Sequence, residues 1–192
     1  MNFPILSFLI LLPSIGAFFL FFTKSSKETN ITIKYVALFT SLVNFFLSIY
    51  LWILFDQSTS EFQFVENRIW IENLINYKVG IDGISILFII LTTFITPLCI
   101  ISVNNSIKNR LREFLIAILI MESFMIGVFC SLDLVVFYLF FEAGLIPMFL
   151  IIGIWGGARR VYSAFKFFLF TLLGSVLMLV AIISIYWISG TT

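Results

Sequence analysis

Two glutamates inside long apolar stretches are the residues best suited to do chemistry in this sequence. Glu122 and Glu142 each lie ten residues from Leu132, which sits in a short polar break within the apolar run. At 1.5 Å per helical residue, each glutamate is about 15 Å from this break, or half of a roughly 30 Å hydrocarbon core. The spacing therefore predicts two carboxyl groups at the same depth, near the middle of a membrane, on neighbouring helices.

A carboxyl group at this depth is costly, since an acid at the centre of a membrane helix costs on the order of 3 kcal/mol. Such a group usually faces a protein interior or a water-filled pocket, where burial favours the neutral acid and allows a proton to be loaded and released. We interpret Glu142 as a proton-transfer carboxyl and Glu122 as a candidate proton relay. The alternative for both is a structural role, in which a neutral acid hydrogen-bonds to a neighbouring helix.

Two nearby residues bear on Glu142. Pro147 has no N–H group, so it leaves the carbonyl of Ala143, next to Glu142, without its usual helical donor. That carbonyl suits an ordered water or a hydrated proton, or else the proline makes an ordinary packing kink. Lys166 either extends to the membrane surface or acts as a cation that faces Glu142 and favours its charged form by attraction.

The composition excludes most soluble functions. Hydrophobic residues make up 61% of the 192 residues and charged residues only 11%, where a soluble domain would have about a quarter charged. The net charge of +1 gives no electrostatic case for nucleic acid. Histidine is absent, and Cys99 and Cys130 lie in apolar stretches, so we expect both cysteines to be buried hydrophobes and expect no metal site. No glycine-rich G-x-G-x-x-G motif indicates a nucleotide site.

The elements that carry these residues are predicted membrane helices. A spanning helix needs about 20 apolar residues, and the polar break at 131–133 divides the longest run into a tight antiparallel hairpin. The predicted fold class is all-α, a polytopic membrane protein with about six transmembrane helices. The predicted spans are 3–22, 33–55, 82–103, 113–132, 134–154 and 164–188.

The loops predict an orientation. Three loops carry nine of the 11 basic residues, and the positive-inside rule places these loops on the cytoplasmic or matrix side. The opposite, outer side holds the acidic loop 56–81, whose partial alternation of apolar and polar residues predicts a short β-hairpin on the outer surface. The nine basic residues are Lys24, Lys27, Lys34, Lys108, Arg110, Arg112, Arg159, Arg160 and Lys166.

Several ordered motifs resemble one known family. They resemble the N-terminal part of the antiporter-like subunit of respiratory NADH–quinone oxidoreductase, complex I, which is called chain M in bacteria and chain 4 in mitochondria. The motif around Glu142 resembles the fifth helix of that subunit, and the other motifs match its third-helix entry and its sixth helix. The matching segments are 79–85 (VGIDGIS), 140–149 (FFEAGLIPMF), 153–157 (GIWGG) and 162–171 (YSAFKFFLFT).

The resemblance implies a partial antiporter-like fold that contributes to proton translocation coupled to electron transfer. Glu142 matches the pumping glutamate of this family, which works with a lysine on the seventh helix, and some members carry an acid at the position of Glu122. Residues 1–112 would form spans one to three, and residues 113–192 would begin the proton-translocating repeat. A second chain or a C-terminal remainder would supply the later helices.

The resemblance also implies the partners and the cofactors. Other membrane-arm subunits of complex I and membrane lipid would surround the chain in a bacterial or mitochondrial inner membrane. The resemblance implies that the chain is a subunit of an enzyme complex, a proton-translocating NADH:quinone oxidoreductase. That complex uses NADH, FMN, iron–sulfur clusters and quinone, none of which we expect this chain to bind. Two other functions remain open: an antiporter-like subunit of a sodium/proton antiporter or membrane hydrogenase, and a structural scaffold of the membrane arm.

Overall fold

Six helices dominate the computed structural model, which describes residues 4–23, 29–71, 75–103, 107 and 109–189. Each of these helices is long and apolar enough to cross a membrane, so the predicted polytopic fold is confirmed. Lys24, Lys27 and Lys108 of the predicted inner loops lie outside the described residues. The helices are α1 Ile5–Phe22, α2 Thr29–Leu54, α3 Ser85–Ser102, α4 Leu111–Cys130, α5 Leu134–Trp155 and α6 Arg160–Ser189.

The ends of the observed helices lie within four residues of the predicted spans. The turn between α4 and α5 is as tight as predicted, because the helices are separated only by Ser131, Leu132 and Asp133. The Asp133 carboxylate accepts hydrogen bonds from the N–H groups of Val135 and Val136 at 2.9 and 3.1 Å. This acid caps the otherwise unpaired amides at the start of α5, which explains why the apolar run breaks here.

A two-stranded antiparallel hairpin connects α2 to α3, as the alternation in the 56–81 loop predicts. Strand β1 spans Gln63–Ile71 and β2 spans Ile75–Ile81. The hairpin lies over the end of the bundle where α1 begins and α4 ends: the Leu132 N–H donates to the Lys78 carbonyl at 2.9 Å, and the Leu6 N–H donates to Glu66 at 2.8 Å. We call this end of the bundle the outer end.

The buried core lies among the first four helices and the hairpin. One apolar cluster joins the first four helices and the hairpin near the outer end, and a second joins the same four helices farther in. Half of the α4 span is buried inside the chain, but only 11% of the α6 span. Cys130 is buried in the first cluster as expected, whereas the expectation for Cys99 is wrong, because this side chain lies on the exposed side of α3.

Candidate proton-transfer site

Glu122 is held inside the bundle by a side chain from another helix. Its carboxyl is only 2% exposed, and the fully buried Asn44 of α2 donates a hydrogen bond from Nδ2 to Glu122 Oε1 at 2.9 Å. The second oxygen of each group, Glu122 Oε2 and Asn44 Oδ1, has no hydrogen-bond partner among the described residues. A proton or a water molecule arriving here would therefore meet two acceptor atoms that are not yet used.

Asn44 belongs to a polar face of α2 that the analysis of the sequence did not single out. Ser41, Asn44 and Ser48 are all fully buried and lie three and four residues apart, so they project from one side of the helix. Ser48 continues the polar contacts to α3, where its hydroxyl lies 2.7 Å from that of Thr93. The three- and four-residue spacing of these polar residues within an apolar span could have indicated a polar helix face, but it does not identify the helix that this face contacts.

A second polar contact joins α1 to α4 beside Glu122. The Ser14 hydroxyl donates to the hydroxyl of Ser123 at 2.8 Å, and Ser123 is only 2% exposed. Since Ser123 directly follows Glu122, polar side chains from α1 and α2 meet α4 at adjacent residues. Three helices thus contribute to the surroundings of this acid.

Glu142 has a more open position on α5. Its side chain is half-buried, and its Oε1 atom is buried without a hydrogen-bond partner among the described residues. The neighbouring Tyr138 hydroxyl, one helical turn away on α5, interacts with the Glu142 carboxyl and with Ser175 of α6. Tyr138 is therefore the polar neighbour of Glu142, and Ser175 links this tyrosine to α6.

The two acids lie at matching depths but have different partners. Glu122 is eight residues before the last residue of α4, and Glu142 is eight residues after the first residue of α5. Each is therefore about 12 Å from the outer end of its helix. The partner of Glu122 is on α2, whereas the polar neighbour of Glu142 is Tyr138 of its own helix, α5.

Aromatic rings pack between α4 and α5 near these acids. The rings of Phe124 and Phe140 are 6.5 Å apart, and Gly127 lies so close to Phe140 that a Cβ atom on this glycine would be 2.5 Å from the ring. Gly144 is less crowded, because a Cβ atom there would meet only the Cβ of Phe124, at 3.8 Å. Gly127 therefore sets how closely the two acid-bearing helices approach.

Lys166 lies away from Glu142. It is exposed near the start of α6 and lines a cavity of about 540 Å³ with Arg159 and Tyr162. It precedes Ser175, the α6 neighbour of the Glu142 site, by nine residues, or about 13 Å along the helix. No hydrogen bond or ion pair within the described part of the chain joins Lys166 to Glu142, and its predicted modulating role stays a prediction.

Pro147 lies inside α5 and is buried. The helix continues through it to Trp155, so the proline does not end the span. Because a proline nitrogen carries no hydrogen, the Ala143 carbonyl next to Glu142 lacks its usual donor. Within the described residues, no group of three histidine, cysteine or acidic side chains is placed to hold a metal ion.

Comparison with known proteins agrees with this arrangement. Residues 131–192, which include α5 and α6, match the family model described as NADH:quinone oxidoreductase/Mrp antiporter, TM. Over this segment the chain is therefore similar to a class of antiporter-like membrane proteins. The similarity to individual relatives extends well beyond the matched segment.

The relatives are subunit M of bacterial NADH-quinone oxidoreductase and its counterpart, chain 4 of NADH-ubiquinone oxidoreductase. The chain is 59% identical to subunit M of Rhodobacter capsulatus over 159 residues, covering 83% of this chain and 31% of the relative. It is 49% identical to chain 4 of Marchantia polymorpha over 189 residues, covering 97% of this chain and 38% of the relative. The chain thus spans about a third of the length of these relatives.

A solved structure shows the same fold. In the membrane-bound sulfane sulfur reductase, an archaeal respiratory membrane complex, one chain superposes with a TM-score of 0.81 at 18% identity. The match covers 98% of this chain and 38% of that chain. With six apolar helices and these bacterial and plant relatives, the chain is a multi-pass protein of a bacterial or mitochondrial inner membrane.

Proposed function

We propose that this chain forms part of the membrane arm of an NADH–quinone oxidoreductase and that Glu142 takes up and releases a proton during coupled turnover. The observation that carries the proposal is the Glu142 carboxyl itself, which lies deep in the span with one buried oxygen left without a partner among the described residues. The unpaired oxygen can take up a proton without displacing a hydrogen bond that it already makes. The homology to subunit M and chain 4 supplies the reaction to which this proton transfer would be coupled.

In this proposal, the chain's own residues handle protons and not electrons. Tyr138 offers a hydroxyl group that can donate to the Glu142 carboxylate or accept from the neutral acid, and Ser175 is a further neighbour of that hydroxyl. The exposed Ala143 carbonyl offers a further acceptor on the same turn. The NADH, FMN, iron–sulfur clusters and quinone of the complex would be bound by other subunits, and membrane-arm partners together with the later helices would cover the exposed sides of α5 and α6.

The decisive experiment replaces Glu142 with glutamine in the assembled complex. Glu142→Gln keeps the size and the hydrogen-bonding capacity of the side chain but cannot carry the proton. We expect NADH-driven proton translocation in sealed vesicles to fall by roughly tenfold or more, with normal assembly on native gels. Wild-type proton translocation in this variant would exclude the proposed role.

Glu113→Gln is the matched control. Glu113 lies in the first turn of α4, where it pairs with Arg112 at 3.0 Å, so the same chemical change is made far from the middle of the span. We expect this variant to keep most of its activity. If Glu142→Gln instead prevents assembly, the acid has a structural role and the scaffold interpretation gains support.

The family description also includes Mrp antiporters, which keeps sodium transport as a second candidate function. The same vesicles distinguish the two. Sodium-dependent proton movement without quinone-linked NADH oxidation would favour the antiporter, whereas proton movement that requires NADH and quinone favours the proposal above.

A further inference from the structure

The buried pair of Asn44 and Glu122 has one hydrogen bond and two acceptor atoms that are not used. Asn44 Nδ2 donates to Glu122 Oε1 at 2.9 Å, which joins α2 to α4. Glu122 Oε2 and Asn44 Oδ1 are both buried and have no hydrogen-bond partner among the described residues. In each group, the unused oxygen is bonded to the same carbon as the atom that takes part in the 2.9 Å bond. One additional hydrogen shared by these two oxygens would therefore satisfy both groups.

The hydroxyl groups near this pair donate to other acceptors. Ser41 and Ser48, on the same face of α2 as Asn44, donate to carbonyl groups of their own helix at 3.0 and 2.7 Å. Beside the acid on α4, the hydroxyl of Ser14 donates to Ser123 at 2.8 Å. Within the described part of the chain, none of these hydroxyl groups bonds to the two unused oxygens. The missing hydrogen must therefore come from the acid itself or from a bound molecule.

The helices packed around Glu122 provide no cation at its depth among the described residues. Helices α1 and α3 carry no charged residue, and the charged residue of α5 is Glu142, an acid whose own charge would oppose a second one. Lys34 is about 15 Å from the pair along α2, and Arg112, about 15 Å away along α4, is paired with Glu113. The charged residues of the hairpin lie at the outer end. A buried carboxylate without a cation is strongly unfavourable, so these surroundings favour the neutral acid.

A neutral carboxyl group and a primary amide are complementary in their hydrogen bonding. The acid has an O–H donor and a carbonyl acceptor, and the amide has an N–H donor and a carbonyl acceptor. Two such planar groups can therefore form a ring that is closed by two parallel hydrogen bonds. The 2.9 Å bond from Asn44 to Glu122 is one side of such a ring, and the two unused oxygens belong to the other side.

We propose that Glu122 holds a proton throughout turnover: its Oε2 atom keeps the proton and donates it to Asn44 Oδ1, and Asn44 is the positioning residue that holds the acid neutral between α2 and α4. Loss of the proton would leave a buried carboxylate with one hydrogen bond and a buried amide oxygen with none, so the pair opposes its release. The proton-relay role predicted for Glu122 would require this ring to open. The proposal goes beyond the role of Glu142 and does not depend on it.

The test is infrared spectroscopy of the assembled complex, in which the wild-type spectrum is compared with that of Glu122→Gln. The difference should show the loss of one C=O band of a protonated carboxyl group. This band should be present throughout the pH range in which the complex is stable, and it should shift to lower frequency in D2O. Asn44→Leu should move the band to higher frequency, because the acid loses both hydrogen bonds to the amide. Asn44→Ala gives the same comparison where Asn44→Leu fails to assemble.

Glu113→Gln is the matched control for the spectra. Because Glu113 forms an ion pair with Arg112 at 3.0 Å, this variant should lose carboxylate bands and no acid band. The proposal is overturned if Glu122→Gln also loses only carboxylate bands, as a carboxylate bridged to the amide by water would, or if the acid band stays in place when Asn44 is replaced. The spectra need no turnover, so their outcome is independent of the Glu142→Gln experiment.

Proton translocation gives a second readout of the same variant. Glutamine at position 122 offers the donor and the acceptor of a neutral acid, so the ring with Asn44 can form without a titratable proton. We expect Glu122→Gln to keep most of the NADH-driven proton translocation in sealed vesicles. A loss as large as that expected for Glu142→Gln, with normal assembly, would show that the proton leaves Glu122 during turnover and would overturn the proposal.

Discussion

The acidic residue within the first four helices and the one within the last two have different surroundings. In α1 to α4, the core is dense, and Glu122 is enclosed with a direct hydrogen bond from Asn44. In α5 and α6, most of the surface is apolar and exposed, and Glu142 is only half-buried. Each acid has one buried oxygen without a hydrogen-bond partner among the described residues, so the difference lies in burial and in the Asn44 hydrogen bond. The comparison teaches that equal depth in a membrane does not give two carboxyl groups equal surroundings.

The two regions meet where α4 packs against α5. Glycine substitutions at this contact are expected to give the largest change in stability. Gly127→Ala would place a methyl group 2.5 Å from the Phe140 ring, whereas Gly144→Ala would meet a neighbour only at 3.8 Å. Both changes gain the same helix propensity, so their difference in stability reports the clash. We expect Gly127→Ala to be less stable than Gly144→Ala by about 1–3 kcal/mol.

Thermal unfolding of the two purified variants, followed by circular dichroism, measures this difference. Equal melting temperatures would mean that the Phe140 ring moves aside at little cost and that the close approach at Gly127 does not hold the helices together. Adding Phe140→Leu to Gly127→Ala should restore part of the lost stability, because the smaller side chain relieves the contact.

The hydrogen bond within the first region gives a smaller effect. Asn44→Leu leaves the buried Glu122 carboxyl without its donor, and we expect a loss of about 1–2 kcal/mol, as for strong interhelical hydrogen bonds in membranes. Ser175→Ala on α6 should cost less, because Ser175 interacts with Tyr138 and not with the Glu142 carboxyl itself.

A double-mutant cycle with Glu122→Leu isolates the interaction between Asn44 and Glu122. If the two residues stabilise each other, the double variant Asn44→Leu/Glu122→Leu is more stable than the sum of the single losses predicts. Strict additivity would show that the 2.9 Å contact contributes nothing to stability and that the enclosure of Glu122 comes from packing alone.

The smallest predicted effect lies at the outer start of α3 and depends on pH. Hydrogen bonds from the backbone N–H and hydroxyl of Ser85 lower the pKa of Asp82 below its ordinary value of 3.8. A lowered pKa in the folded state stabilises the charged form, so this contribution is present above pH 3.8 and is lost as the pH falls through the folded pKa. Amide hydrogen exchange at Ser85 should therefore lose protection only at strongly acidic pH, and Asp82→Asn should remove this dependence.

Much of the fold could be predicted because the length and the apolar character of a membrane helix are visible directly as a run of apolar residues in the sequence. The six spans, the tight turn at Asp133 and the outer hairpin follow from apolar length, a single acidic break and alternation. Which neighbouring helix each face of a span packs against cannot be predicted from these local patterns. Which helix Asn44 faces is decided by packing across 78 residues of sequence, and no local pattern records it.

The candidate site was predictable in part for a similar reason. The depth of Glu122 and Glu142 follows from counting along a helix, and the structure places them at matching positions. Asn44 and Ser175 lie on other helices, so counting along one helix could not find them, whereas Tyr138 lies four residues before Glu142 on α5 and could have been found in that way. The position of Lys166 depends on where α6 begins, and this helix starts four residues earlier than the apolar run suggests.

The packing of α1 has a consequence for how the chain is made. It packs on α2, but its hydrogen bonds to other elements are with parts of the chain that are synthesised later. Ser14 bonds to Ser123, the carbonyl of Thr23 accepts from Arg112, and the amide of Leu6 donates to Glu66. A ribosome feeding the membrane from the N-terminus would release α1 into lipid well before α4 exists. The first helix must therefore wait, incompletely partnered, until the fourth is inserted, which makes early biogenesis the stage at which this protein is most exposed to misassembly and degradation.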